Sequence, residues 1–315
     1  MITLIHVISR YGDQEIMQYY HTALLELNYK IILYVDTGIT FNTTVKIHDM
    51  PGWYEHKLFT SYEKEIWIVL HSSKDARKWR HLMPKAFIIV VLTDDISGLA
   101  YADVACASSE LSLIASKHYN KHCQIIETGL MNYFDLPISM NNTITFAYIN
   151  SNYRDTIFVL RVLLALSSKL SWKIIIISNY CQILQWLTDR IGMPNIEWRQ
   201  EKHAINLFKD SDILIVTDSS KLLVLEALMC QRQVIAVDFP EISKIFEKLE
   251  LMDNLYQATT IDLAKKITKL CIWNNKLYIS PQKVWHHYGR PAFITQLDQA
   301  FKSIYMNHYV KLQDI

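Results

Sequence analysis

Hydrophobic residues fall into short apolar runs separated by longer stretches with helical spacing. The runs Ile2–Ile8, Lys30–Val35, Ile66–Leu70, Phe87–Leu92, Val104–Ala107 and Gln124–Ile126 predict a first set of strands. A second set follows a break: Thr145–Ile149, Lys173–Ile177, Asn195–Trp198, Ile213–Val216 and Gln233–Val237. Between them lie helical patterns such as Asp13–Leu27, with Asp13 placed to cap its start and Asn28 near its end. Strand and helix in strict alternation predict βα units and therefore parallel sheets.

The two sets resemble each other in layout, and Asp135-Leu-Pro-Ile-Ser-Met-Asn-Asn between them is polar, contains Pro137 and has no period. At roughly 150 residues per domain, 315 residues suit two domains, each large enough to bury its own core. The expected division is 1–136, 143–280 and a terminal helical segment 281–315. In open parallel sheets ligands bind beyond the carboxyl ends of the strands. Two such sheets in tandem are expected to present those ends to a shared central cleft.

Composition narrows the chemistry. The net charge is +1, half of the residues are hydrophobic and a fifth are charged, which excludes disorder, a collagen-like chain and a polybasic nucleic-acid coat. Only 7 of 315 residues are glycine, so a Gly-rich dinucleotide fingerprint or P-loop is absent. The cysteines Cys106, Cys123, Cys181, Cys230 and Cys271 are scattered and lack a C-x-x-C pair, as reduced core thiols are. With no basic leader before the first apolar run and no run of about 20 apolar residues, a cytoplasmic protein without a transmembrane segment is expected.

The most informative stretch is 203–241, in which a helix and the strand Ile213–Val216 lead to Asp218, a polar turn Ser219-Ser220-Lys221, and a helix bearing Glu226. A turn that opens a helix directs free N–H groups and a positive dipole end at whatever lies before it, which suits a diphosphate. The order resembles the nucleotide-binding signature of GT-B glycosyltransferases, as a D-x7-E version of their E-x7-E. That resemblance implies that Glu226 accepts the ribose hydroxyls, that Asp218 faces the donor sugar in a catalytic role, and that Ser219, Ser220 and Lys221 meet phosphate oxygens. The alternative is a core helix with Glu226 on its wet side. The run Ala227–Asp238 also resembles the family's approach to the next strand, but Gln231 or Arg232 stands where a glycine is usual.

The first half resembles the same family. Phe87–Asp95, Tyr101–Ser109 and Gln124–Phe134 follow the order seen at the end of a GT-B N-terminal domain. Asp94, ending a strand, resembles the catalytic Asp of phage DNA β-glucosyltransferases and would take the acceptor's proton; otherwise it caps the next helix. Gly12, in the loop after the first strand, would let the backbone approach the donor. The segment 281–315 resembles the family's final helix, which crosses back to the first domain. Arg154 alone occupies the place of the family's basic pair, where a guanidinium can grip phosphate in two-point fashion.

Two other clusters carry less. Asp210-Ser-Asp212 spells the D-x-D of metal-dependent GT-A enzymes but falls at a helix-to-strand entry, away from the expected cleft, and no metal is expected. Lys74-Asp-Ala-Arg-Lys-Trp-Arg-His81 offers cations around an aromatic ring; it suits a solvated helix face or, if functional, a DNA acceptor. The resemblance thus implies an α/β protein of two Rossmann-like domains, a GT-B hexosyltransferase. It would move a sugar from a nucleotide diphosphate donor, UDP-linked by preference, to a hydroxyl of a glycan, a small molecule or DNA, with no obligatory cofactor. The alternatives are a nucleotide-sugar epimerase of the same architecture and a non-catalytic member that binds nucleotide or a partner.

Overall fold

A computed structural model describes residues 3–10, 14–50, 66–91, 98–107, 123–126, 130, 143–149, 152–167, 171–177, 181–192, 195–199, 204–272 and 279–313. The chain divides into two compact units, residues 1–129 with 291–315, and residues 130–290.

In the first unit a parallel sheet contains β1 (Thr3–Ile8), β2 (Lys30–Val35), β3 (Ile47–Asp49), β4 (Ile66–Leu70), β5 (Phe87–Val91), β6 (Val104–Ala107) and β7 (Cys123–Ile125). Its order is β3-β2-β1-β4-β5-β6-β7, so the direction of winding reverses between β1 and β4. Helices α1 (Gln14–Glu26) and α2 (Ser73–Leu82) are its described crossovers. The second unit holds β8 (Ile144–Ile149), β9 (Trp172–Ile177), β10 (Ile196–Arg199), β11 (Ile213–Val216), β12 (Gln233–Val237) and β13 (Leu255–Tyr256), in the order β10-β9-β8-β11-β12-β13, again all parallel. Its helices are α3 (Tyr153–Leu166), α4 (Cys181–Ile191), α5 (Ala204–Lys209), α6 (Lys221–Met229), α7 (Pro240–Leu249), α8 (Thr260–Ile272) and α9 (Pro281–Tyr288).

The central strands β4, β11 and β12 are buried at every position, because helices cover both faces of the sheet and leave no wet side for polar residues. Each expected strand is present with ends within a residue or two of the predicted ones. The sequence pattern missed β3 and β13, which are three and two residues long and lie at sheet edges. Helix α6 is apolar on nearly all sides because it lies in one core cluster with Phe246 of α7 and with Val284 and Tyr288 of α9. Helix α10 (Arg290–Gln313) carries the chain back: Phe293 lies 4.6 and 4.8 Å from the rings of Tyr19 and Tyr20, and Phe301 meets Tyr29 and Trp67. Within 281–315, α9 therefore belongs to the second unit, and the chain joins the first from residue 291.

The scarcity of glycine has a visible consequence at helix ends. Asn28, Gln231 and Glu250 all stand at positive φ, 59°, 58° and 63°, in the left-handed conformation that usually selects glycine. Each closes a helix with the same paired bonds. At Gln231 these run from Arg232 N–H to the Ala227 carbonyl (2.9 Å) and from Gln231 N–H to that of Leu228 (3.0 Å). The turn expected of a glycine is thus made without one, at a steric cost. Gln231→Gly should raise the free energy of unfolding by up to about 1 kcal/mol. Denaturant titration measures it, and a loss of stability would mean that the Gln231 side chain contributes more than the strained φ costs.

Candidate functional site

In the second unit the chain leaves β8 toward β9 and β10 on one side, then returns to place β11 on the other. The carboxyl ends of β8 and β11 consequently lead into separate helices, at the place where open parallel sheets bind ligands. The hydroxyls of Tyr148 and Thr217 join the two strand ends at 3.1 Å.

Beyond β8, Asn152 caps α3 by accepting the N–H of Arg154 at 3.0 Å. The Arg154 side chain is solvent-facing, and its Nε donates to the Tyr153 hydroxyl at 3.2 Å. Beyond β11 comes Thr217-Asp218-Ser219-Ser220. The Asp218 carboxylate accepts the Ser220 N–H at 3.0 Å, and the Ser219 carbonyl accepts that of Lys221 at 2.7 Å, which bends the chain sharply into α6. Ser220 occupies the cap position of α6 without a side-chain cap bond, and the N–H groups of Leu222 and Leu223 in the first turn have no acceptor within the helix. Ser219 is exposed, and Asp218, Ser220 and Lys221 are partly so.

Glu226 lies farther along the same helix, half-buried, with no hydrogen bond or ion pair to its carboxylate among the described residues. Burial raises its pKa above the ordinary carboxylate value. Tyr256, on β13 beyond β12, donates to the Val216 carbonyl at 3.2 Å; its phenol is raised by burial first and then by Tyr148, Asp155 and Asp218. Arg154, Asp218, Ser219, Ser220, Lys221 and Glu226 therefore all belong to the two segments that flank the reversal of strand order. The sequence reading missed Tyr148, Asp155, Thr217 and Tyr256. Thr217 and Asp155 adjoin residues it singled out, whereas Tyr148 sits inside an apolar strand that gave no cue and Tyr256 in the two-residue β13, which the pattern missed.

Gly12 and Asp94 lie outside the described residues. Asp210 and Asp212 are structural: Asp212 accepts the Thr145 N–H at 2.9 Å where β8 and β11 begin, and Asp210 pairs with Arg199 at 2.6 Å. Among the described residues no group of three His, Cys, Asp or Glu side chains converges on a metal position. In the basic stretch of α2, Trp79 is fully buried in the core, and Arg80 is occupied by the carbonyls of Tyr101, Pro84 and Ala86 and by Asp103. The stretch is a helix face whose aromatic ring is packed inward, so it offers no stacking platform for nucleic acid. No described helix is long and apolar enough to cross a membrane.

No protein-family model matches the chain, and no curated protein sequence does. Solved structures match over nearly its whole length. The apo lipopolysaccharide outer-core galactosyltransferase WaaB is 11% identical, with 96% of this chain and 99% of that one covered at a TM-score of 0.68. A glycosyltransferase from Rickettsia africae is 13% identical, with 97% and 99% covered at 0.69. HepE from Anabaena in complex with UDP and glucose is 11% identical, with 96% and 100% covered at 0.65. Two all-parallel sheets in this arrangement are the GT-B fold.

Proposed function

Starting from the GT-B fold, we propose that the protein is a glycosyltransferase that takes a hexose from a UDP-linked donor and passes it to a hydroxyl acceptor. The observation that carries this reading is Glu226. A half-buried carboxylate with no hydrogen-bond or ion-pair partner among the described residues, on the helix that opens at the reversal point of the sheet, is suited to accept a pair of vicinal hydroxyls such as those of ribose. The N-terminal turn of α6 and the Arg154 guanidinium would hold the diphosphate, with Ser219, Ser220 and Lys221 beside it. As the sugar leaves, negative charge grows on that diphosphate, and donors already in place there stabilise it without reorganisation. Asp218 would act near the donor sugar while one of its oxygens holds the turn. Asp94 remains the proposed acceptor-side base. The UDP complex of HepE supports the choice of nucleotide, and galactosyl transfer by WaaB supports a hexose.

The experiment is a calorimetric titration of the full chain with UDP, followed by incubation with UDP-glucose and UDP-galactose. Saturable UDP binding is expected, with release of UDP from one sugar nucleotide as its sugar passes to water in place of an acceptor. Absence of heat at millimolar UDP would end the reading. Conversion of one sugar nucleotide into the other without an acceptor would make the protein an epimerase, and binding without turnover a non-catalytic member.

The charge at the site leads to a separate expectation. Asp155, Asp218 and Glu226 outnumber Arg154 and Lys221, and Asp155 stands in the first turn of α3 beside the arginine. Removing one negative charge near a bound diphosphate is worth about 1 kcal/mol at a partly wet site. Asp155→Asn should therefore tighten UDP binding about fivefold at low salt, and weaker binding would place Asp155 in support of Arg154 instead.

A further inference from the structure

Three histidines with no part in the reaction above form a line through the interior of the first unit. His6 lies in β1, His21 on α1 and His71 directly after β4; their exposures are 0, 0 and 1%. His6 Nδ1 meets His21 Nδ1 at 3.2 Å, His6 Nε2 meets His71 Nε2 at 2.7 Å, and His21 Nε2 meets the Thr43 hydroxyl at 2.6 Å. Because His6 turns opposite nitrogens to its two neighbours, the rings form a chain rather than a shared metal site.

The protons in such a chain can be counted. Each contact between two ring nitrogens holds one proton, since two lone pairs or two N–H groups facing each other at these distances repel. Three neutral rings carry three protons: two in the contacts and one at an end, on His21 Nε2 or His71 Nδ1. The Thr43 hydroxyl can donate or accept, so both directions of the chain are allowed. One more proton fills the other end. A second additional proton has no place unless a contact breaks, whereas in the opened chain each ring takes its own.

We propose that the His21–His6–His71 chain is an acid-sensitive latch: the closed first unit holds at most one proton beyond neutral on these rings, and the opened unit holds three. Opening in acid therefore takes up two or three protons together.

The surroundings agree. His6 is held well below its ordinary value, by burial first and then by His71 and His21; burial alone holds His21 at about 4 and His71 at about 3. Among the described residues, the titratable groups that face the chain are the three rings themselves and the Tyr20 phenol, 5.1 Å from His71, on which Cys106 and Tyr19 act in turn. Phe41 covers His21, and Phe293 covers Tyr20. Among the described residues, no carboxylate or cation contributes to the electrostatics of the three rings. The folded values lie below the unfolded value of about 6.5. The stabilisation is thus complete above about pH 6.5 and is lost as pH falls from there toward about 4. Once below that upper limit, each pH unit should multiply the opening constant by roughly a hundredfold for two protons and a thousandfold for three.

The test is hydrogen exchange of the full chain between about pH 7.5 and 4.5, corrected for intrinsic exchange and read by peptide mass. Protection in β1 and β4 should fall about a hundredfold or more per pH unit below about pH 6, while β8 and β11 of the second unit lag behind. His6→Gln, which removes one titrating ring, should lower that slope by about tenfold per pH unit. Should that variant not fold, ¹⁵N resonances of the wild-type rings decide instead, with at most one added proton expected while the unit stays closed. A fall of tenfold or less per pH unit in β1, an unchanged slope in folded His6→Gln, or two added ring protons with protection intact would each overturn the proposal.

Discussion

Glu226→Ala should weaken UDP binding by about ten- to a hundredfold while leaving the protein folded. Hydrogen bonds that involve a charged group are worth about 1.5–3 kcal/mol, and a carboxylate shared by two ribose hydroxyls falls in that range or at its upper end. The fold should tolerate the change, because the carboxylate supports no other described group and alanine favours helix. Uridine diphosphate and a 2′,3′-dideoxy analogue separate the roles: wild type should prefer the former and the variant should barely discriminate. A calorimetric loss below about twofold would make Glu226 a residue of the helix surface and nothing more. Burial also raises its pKa, and bound hydroxyls favour the ionised form. UDP affinity should accordingly fall as pH drops through that raised value in wild type but not in the alanine variant.

Gly98→Ala is expected to have the largest effect on stability. A Cβ at this position would stand 1.8 Å from the Ser73 carbonyl oxygen and 2.5 Å from its carbon, and both are backbone atoms in the first turn of α2. No rotamer change relieves such a contact. The Gly98 N–H also faces the Ser73 hydroxyl at 3.3 Å, so displacement would loosen that bond as well. The helix held there carries Trp79, the largest side chain of the core formed with β4 and β5. Overpacking of this kind costs about 3 kcal/mol or more, a large share of the roughly 5–15 kcal/mol that keeps a domain folded. Thermal unfolding should show the loss in the first unit, and a variant as stable as wild type would mean that the α2 start moves freely.

Much of the architecture was legible along the chain because the two sheets are parallel. Strands covered on both faces must be apolar at consecutive positions, so Ile66–Leu70, Ile213–Val216 and Gln233–Val237 stand out from helices with a polar side. The turn at Asp218 and the helix bearing Glu226 were legible for a related reason, since a run of polar residues directly after a buried strand marks its carboxyl end. Gln231 shows the limit. A missing glycine suggested an altered turn, yet the backbone adopts the glycine conformation with a glutamine in it. Local preference there is a cost of about 1 kcal/mol, which the packing of α6 against α7 and α9 outweighs.

The order of apolar and polar residues by itself determined the parallel α/β class, the two series of strands and the segments that end at the reversal of the second sheet, because burial of main chain and side chain obeys local periodicity. Only the tertiary structure decided that Asp210 and Asp212 tie strand ends together, that Trp79 is core rather than a stacking platform, and that residue 291 is where the chain rejoins the first unit. It alone brought together His6, His21 and His71, fifteen and sixty-five residues apart along the chain. Which side chains meet across such separations depends on strand order and on the faces the helices turn inward, and no window of neighbouring residues encodes either.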